Sequence, residues 1–206
     1  IIKKNFINLF YRNLFFLQIR YNVIMRLYIF IIICFFSITS HIRAEVFTEL
    51  FGLKLLDQVQ SHFSLKMIDN EKYKNAETID NFYDVDITAV IKKKSPQIDF
   101  YTITLDNNNR IHSIYGEKQL DTISNCNDRV VPSIISIFER KYSLSFDYYE
   151  DSYTDFNIYS YSTYDISDNL FRIQCNEGID GLIYLQIVYQ TLELLDEVNR
   201  FYDSGF

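Results

Sequence analysis

Nucleophilic catalysis needs a hydroxyl or thiol within hydrogen-bond reach of a base, and beyond residue 44 the chain offers only His62 and His112 as imidazole bases. Neither sits in a catalytic frame. No Gly-x-Ser-x-Gly occurs, and spacing alone makes His62 a helix residue and His112 a strand residue with ordinary structural roles. The five glycines of the chain never reach the spacing of a phosphate-binding loop. A metal centre requires clustered His, Cys or carboxylate ligands. Asp106-Asn107-Asn108-Asn109-Arg110 opens like a calcium loop, but Arg110 stands where an oxygen ligand belongs and Ile111 where the loop needs Gly. It reads as a hairpin turn. No catalytic residue, metal ligand or cofactor is assigned.

The most unusual local chemistry lies in residues 147–155, where acids and aromatics are interleaved, and in the tyrosines that follow. Tyr148, Tyr149, Tyr153, Tyr159 and Tyr161 are the candidate binding residues, because tyrosine supplies large contact area at low entropic cost. The competing reading is a sheet with cross-strand tyrosine pairs. Ile, Asn, Lys, Tyr and Phe are all abundant while Ala, Gly, Pro and Trp are scarce, as in proteins encoded by an AT-rich bacterial genome, so part of the tyrosine enrichment follows codon usage. Carboxylate pairs for glycoside hydrolysis can be drawn from the same stretch, but 27 Asp and Glu make such pairs common by chance.

Of the three cysteines, Cys34 lies inside an apolar run, leaving Cys126 and Cys175 as an even pair for a disulfide in an oxidising compartment. The apolar run spans residues 27–38, is preceded by Arg26 and followed by small polar residues and Ala44, and so has the layout of a secretory signal over residues 25–44. Its twelve residues fall short of the roughly 20 that cross a bilayer. An uncleaved anchor at 27–38 is the alternative, and would be the chain's membrane contact. Residues 1–24 are read as upstream translation or a basic extension, with the start at Met25.

Residues 1–44 hold six basic residues and no acid, so residues 45–206 carry 14 basic side chains against 27 acidic ones, a formal charge of −13. Such a domain repels phosphate backbones, which excludes nucleic acid as a partner. With 48% hydrophobic residues the chain builds a core, and its length allows one domain, expected at 45–206.

Within that domain, apolar spacing predicts a short helix at 54–62, and a polar loop over 66–97 with one strand at 85–91. A hairpin follows, with strands at 100–105 and 110–115 around the Asp106–Asn109 turn. A helix at 127–142 is capped by Asn125 or Asn127, with Pro132 tolerated near its first turn. Period-two patterning predicts strands at 146–150, 156–163, 170–176 and 182–190, the last central in the sheet because it is apolar on both faces. Gly178 to Gly181 turns between the last two, and a final helix carries Leu194, Leu195, Val198 and Phe201. The order predicts an α+β fold: an antiparallel sheet of about six strands with two to three packed helices.

The Phe51-Gly52-Leu53-x-Leu55 opening, the Tyr101 strand, the return to Ile114, Cys126 and the helix ending at Lys141-Tyr142 resemble small uncharacterised secreted or periplasmic bacterial domains. Leu56 departs from that pattern, standing where a Gly is expected. The resemblance implies an exported, disulfide-containing α+β domain and transfers no functional residue. The expectation is therefore a periplasmic or secreted, non-enzymatic binding domain for a protein, peptide or envelope component. Its alternative is a hydrolase of envelope polymers using carboxylates as acid and base.

Overall fold

The structure, a computed structural model, describes residues 45–73, 81–152, 156–178 and 180–203. All of these belong to the compact unit Ala44–Phe206. The signal segment and Tyr153 lie outside the described residues.

One antiparallel sheet organises the fold. Its strands are β1 (Lys72–Tyr73), β2 (Phe82–Asp86), β3 (Phe100–Asp106), β4 (Ile111–Leu120), β5 (Asp147–Ser152), β6 (Phe156–Tyr164), β7 (Leu170–Gly178) and β8 (Ile183–Gln190). In space they run β1-β2-β3-β4-β8-β7-β6-β5, so two four-stranded meanders meet where β4 pairs with β8. β1 is a single two-residue pairing and β5 is exposed along its whole length, so the core rests on the six strands between them. The helices are α1 (Leu65–Glu71), α2 (Val131–Tyr142) and α3 (Leu192–Asp203). The antiparallel α+β architecture and the central place of β8 match the sequence reading, with β1 added to the first meander.

Register assigns Tyr101, Ile103, Ile114, Phe171, Ile173, Cys175, Leu185, Ile187 and Tyr189 to one face, and all are buried in the main core. Ile68 of α1 and Val131 and Ile134 of α2 complete that core. Phe47 anchors the N-terminal segment there, 5.4 Å from Phe138 and 4.8 Å from Phe171 between ring centroids. Leu170 and Val188 point to the opposite face and are buried outside the main core, as is Leu194 of α3. Thus α3 covers one end of the second face.

Several local expectations are corrected. Residues 54–62 are not a helix, because the chain pairs with the hairpin instead: Leu56 donates its N–H to the Ile111 carbonyl at 2.6 Å and Val59 to that of Asn109 at 3.0 Å. Only a 3₁₀ turn, Val59–Ser61, forms there. Leu56 adopts φ +65°, the left-handed region that favours glycine. Nearby, Phe51 and Gly52 both have positive φ in a tight reversal between Leu50 and Leu53, which exchange both backbone hydrogen bonds.

Within the stretch 66–97 the described residues include most of α1 together with β1 and β2, and residues 87–97 are the turns and loop expected there. The strand expected at 85–91 lies earlier, at Phe82–Asp86, and Ile91 instead closes a turn by donating to the Ile87 carbonyl at 2.9 Å. Neither Asn125 nor Asn127 caps the helix. Helical structure begins at Ile123, and Thr122 Oγ1 accepts the Asn125 N–H at 3.1 Å. A π turn, Asn125–Val130, runs directly into α2 and places Pro132 inside a continuous helical segment. Pro132 has no N–H to give the carbonyl one turn back, and the π turn before it already bonds i to i−5, as Val131 does to the Cys126 carbonyl. Cys126 in this turn is joined to Cys175 on β7 across 49 residues.

The Asp106–Arg110 segment is the expected turn. Asp106 Oδ1 accepts the backbone N–H groups of Asn108 and Arg110, each at 2.8 Å, and Asn109 takes φ +59°. Asp165 builds the same device between β6 and β7, accepting from Ser167 at 2.7 Å and Asn169 at 2.9 Å, with Asp168 at φ +60°. Gly178 and Gly181 close the β7–β8 hairpin, with the Gly181 N–H bonded to the Gly178 carbonyl at 2.9 Å.

Candidate functional site

The sheet divides the candidate tyrosines. Tyr148, Tyr159 and Tyr161 share the helix-bearing face, as their register with Ile173 and Cys175 requires, while Tyr149 projects from the other face. Tyr148 and Tyr161 form a cross-strand ring pair at 5.0 Å between centroids, and Tyr161 donates its hydroxyl to Asn127 Oδ1 at 3.2 Å beside the π turn. Tyr159 and Tyr161 pack against the core. Partial burial and a 2.9 Å hydrogen bond to Glu150 push the Tyr148 hydroxyl up to about 12. Burial likewise raises Tyr159 and Tyr161, aided by the nearby carboxylates of Glu177 and Asp128 respectively.

The more ordered chemistry lies on the opposite face, beyond the end covered by α3. A cross-strand row there runs from Phe100 on β3 through Glu117, Gln186, Gln174 and Ser160 to Tyr149 on β5. Its side chains are linked. Gln174 Nε2 and Asn176 Nδ2 donate to Gln186 Oε1 at 2.7 and 2.8 Å, and Gln186 Nε2 donates to Glu117 Oε2 at 2.8 Å. The Tyr115 hydroxyl also donates to Glu117 Oε2. Asn176 Oδ1, by contrast, is buried and has no hydrogen-bond partner among the described residues.

This amide ladder was not singled out from the sequence. The available signal was the alternation of Arg172, Gln174 and Asn176 in β7, polar at every second position of a central strand.

His112 is fully buried at the bulge opposite Leu105. Its Nε2 lies 3.4 Å from Asp106 Oδ2, and its Nδ1 lies 3.1 Å from Thr191 Oγ1 and 3.7 Å from Glu193 Oε2. An acid, an imidazole and a hydroxyl in line have the connectivity of a nucleophile relay. Here the hydroxyl is committed elsewhere, since Thr191 Oγ1 accepts the Leu194 N–H at 3.3 Å at the start of α3, and Thr191 is itself only 4% exposed. With no open surface for a substrate, the His112–Thr191 hydrogen bond ties α3 to the hairpin, while His112 Nε2 approaches Asp106 without a hydrogen bond. Burial tends to raise the Asp106 carboxyl, but hydrogen bonds from Arg110 and Asn108 outweigh it and hold the group below its ordinary value.

A hollow of about 400 Å³ lies between α1 and the segment after β2, lined by Met67, Glu71, Asp86, Thr88, Val90 and Lys94 among others. Among the described residues no three His, Cys, Asp or Glu side chains are grouped to hold a metal ion. No known family model, curated protein or solved structure matches the chain.

Proposed function

We propose that this chain is an exported, non-enzymatic interaction domain that binds its partner through the part of its sheet that no described helix covers. The amide ladder carries this reading. A central strand covered on both sides is normally apolar on both sides, whereas β7 presents Arg172, Gln174 and Asn176 on its second face. Polar groups fixed in place by their own hydrogen bonds meet a partner with little entropy left to lose. Export is supported by the Cys126–Cys175 disulfide, which belongs to an oxidising compartment, and by the signal-like run at 27–38. Among the described residues no helix is long and apolar enough to cross a membrane.

The test is photo-crosslinking in the intact source cells, with the crosslinking residue placed at Tyr149 or Tyr164 on the open face, or at exposed Ile137 on α2. Discrete adducts from the first two positions and none from the third are expected. Adducts only from Ile137 overturn the assignment of the face. Release of soluble products from purified envelope polymers by the exported protein would overturn the non-enzymatic reading in favour of hydrolysis.

A further inference from the structure

We infer that the partner is a protein whose contact surface is rich in arginine and lysine. This rests on the open sheet face being the binding surface.

Charge is the first reason. Among the described strand residues, register brings Asp84, Asp86, Glu117, Asp147 and Asp151 to this face against Arg172 as its one basic side chain. The domain as a whole has 14 basic residues against 27 acidic ones, so a second copy of the chain is repelled and a basic surface is attracted.

The direction of the hydrogen bonds is the second. The amides of Gln174 and Asn176 donate inward to Gln186, and Gln186 donates onward to Glu117. The exposed acceptors on this face include the carboxylates of Asp147 and Asp151 on β5, so an occupant pairs with them by donating. Guanidinium and ammonium groups donate and never accept, and guanidinium matches planar oxygen acceptors with a rigid fork of N–H groups.

Aromatic side chains are the third. Phe100, Tyr149 and Tyr164 belong to the same face and are 58%, 54% and 53% exposed, unusually open for such large rings. Ring faces attract cations, most strongly arginine. A neutral glycan would use the rings and amides but not the charge of the exposed carboxylates Asp86, Asp147 and Asp151.

The experiment uses the full chain, recovered from a secreting host, and three fluorescent probes read by anisotropy: an Arg-Ser repeat peptide, a Glu-Ser repeat peptide and a neutral gluco-oligosaccharide. The Arg-Ser peptide alone is expected to bind, and to weaken by about tenfold from low to physiological salt. Glu117→Gln, and separately the exposed pair Asp147→Asn with Asp151→Asn, should each weaken it by about threefold or more, as charges lost from a contact surface do. Glu139→Gln with Asp69→Asn, two exposed acids on the helices of the other face, should leave it unchanged. The Asp147 and Asp151 variants lie on the exposed edge strand, so their effect does not depend on core folding.

Equal weakening by the remote pair overturns the inference, because the attraction is then diffuse. Absence of binding by the Arg-Ser peptide also overturns it. If the oligosaccharide binds instead and Glu117→Gln abolishes that binding, the basic partner is wrong while the face stands. Loss of the Tyr149 and Tyr164 crosslinks removes the face itself.

Discussion

Gln186 Nε2 donates to Glu117 Oε2 at 2.8 Å, a contact spanning 69 residues that sits on the joint between the two meanders. Among the described residues Gln186 Oε1 accepts from both the Gln174 and Asn176 amides, so Gln186→Leu strands two donors at once. A loss of about 1–3 kcal/mol in unfolding free energy is expected, read from urea midpoints. Gln186→Glu keeps the acceptor but faces Glu117 with a second carboxylate, so its loss should be larger at neutral pH than in mild acid.

Reduction of the Cys126–Cys175 bridge should lower stability by up to about 4 kcal/mol, the chain-entropy figure for a loop of this length. Both sulfurs are buried, so neither cysteine should react with an alkylating reagent until the protein is reduced and unfolded. Mass spectrometry after alkylation with and without reductant checks this, and two labels without reductant would show that the bridge is absent.

Leu56→Gly should stabilise the fold. A non-glycine residue in the left-handed region costs about 1 kcal/mol, and Leu56 is half exposed, so little packing is lost with the side chain. For a domain of this size the thermal midpoint should rise by about 2–4 °C, as read by circular dichroism. An unchanged or lower midpoint would show that the side chain contributes more than its backbone strain costs.

Gly116→Ala should destabilise. A methyl group there would lie 2.9 Å from Phe51 Cε2 and 3.0 Å from Ile98 Cγ2, inside van der Waals contact. Phe51 packs edge-on to Tyr101 at 4.9 Å, so it cannot withdraw without giving up that contact. The expected cost is about 1–3 kcal/mol, partly recovered when Phe51→Leu is added. Full additivity of the two changes would rule out the proposed clash.

Acid should weaken the fold through its two turn aspartates. Burial raises the Asp165 carboxyl, but hydrogen bonds from Tyr189, Asn169 and Ser167 outweigh it and leave the group below its ordinary value, as Asp106 is. A depressed folded value gives stability that is present above the unfolded pKa, about 3.9, and is lost as pH falls through the folded value. Urea midpoints should therefore drop below about pH 4. Asp106→Asn and Asp165→Asn should each be less stable at neutral pH and show a shallower acid drop, and an equally steep drop in both would place the acid sensitivity elsewhere.

Strands β3, β4, β6, β7 and β8 and the final helix were legible because their apolar residues alternate or recur with a period set by local geometry. The segment at 54–62 was misread because its apolar spacing fits a helix, while the left-handed backbone at Leu56 and the hydrogen bonds to Ile111 and Asn109 come from residues far along the chain. The π turn was invisible for a similar reason, since Pro132 and Thr122 each permit several helix starts and packing selects one.

The candidate site divides along the same line. Composition alone determined an acidic domain, one cysteine pair beyond the apolar run and a stretch rich in tyrosine. Only the sheet decided that Tyr148, Tyr159 and Tyr161 lie on the helix-bearing face and Tyr149 on the other, because strand register sends alternate side chains to opposite sides. Only pairing between β4, β8 and β7 brought Glu117, Gln186, Gln174 and Asn176 into one ladder. Those contacts join residues up to 69 positions apart, and a local pattern carries no information about which strand will become a neighbour.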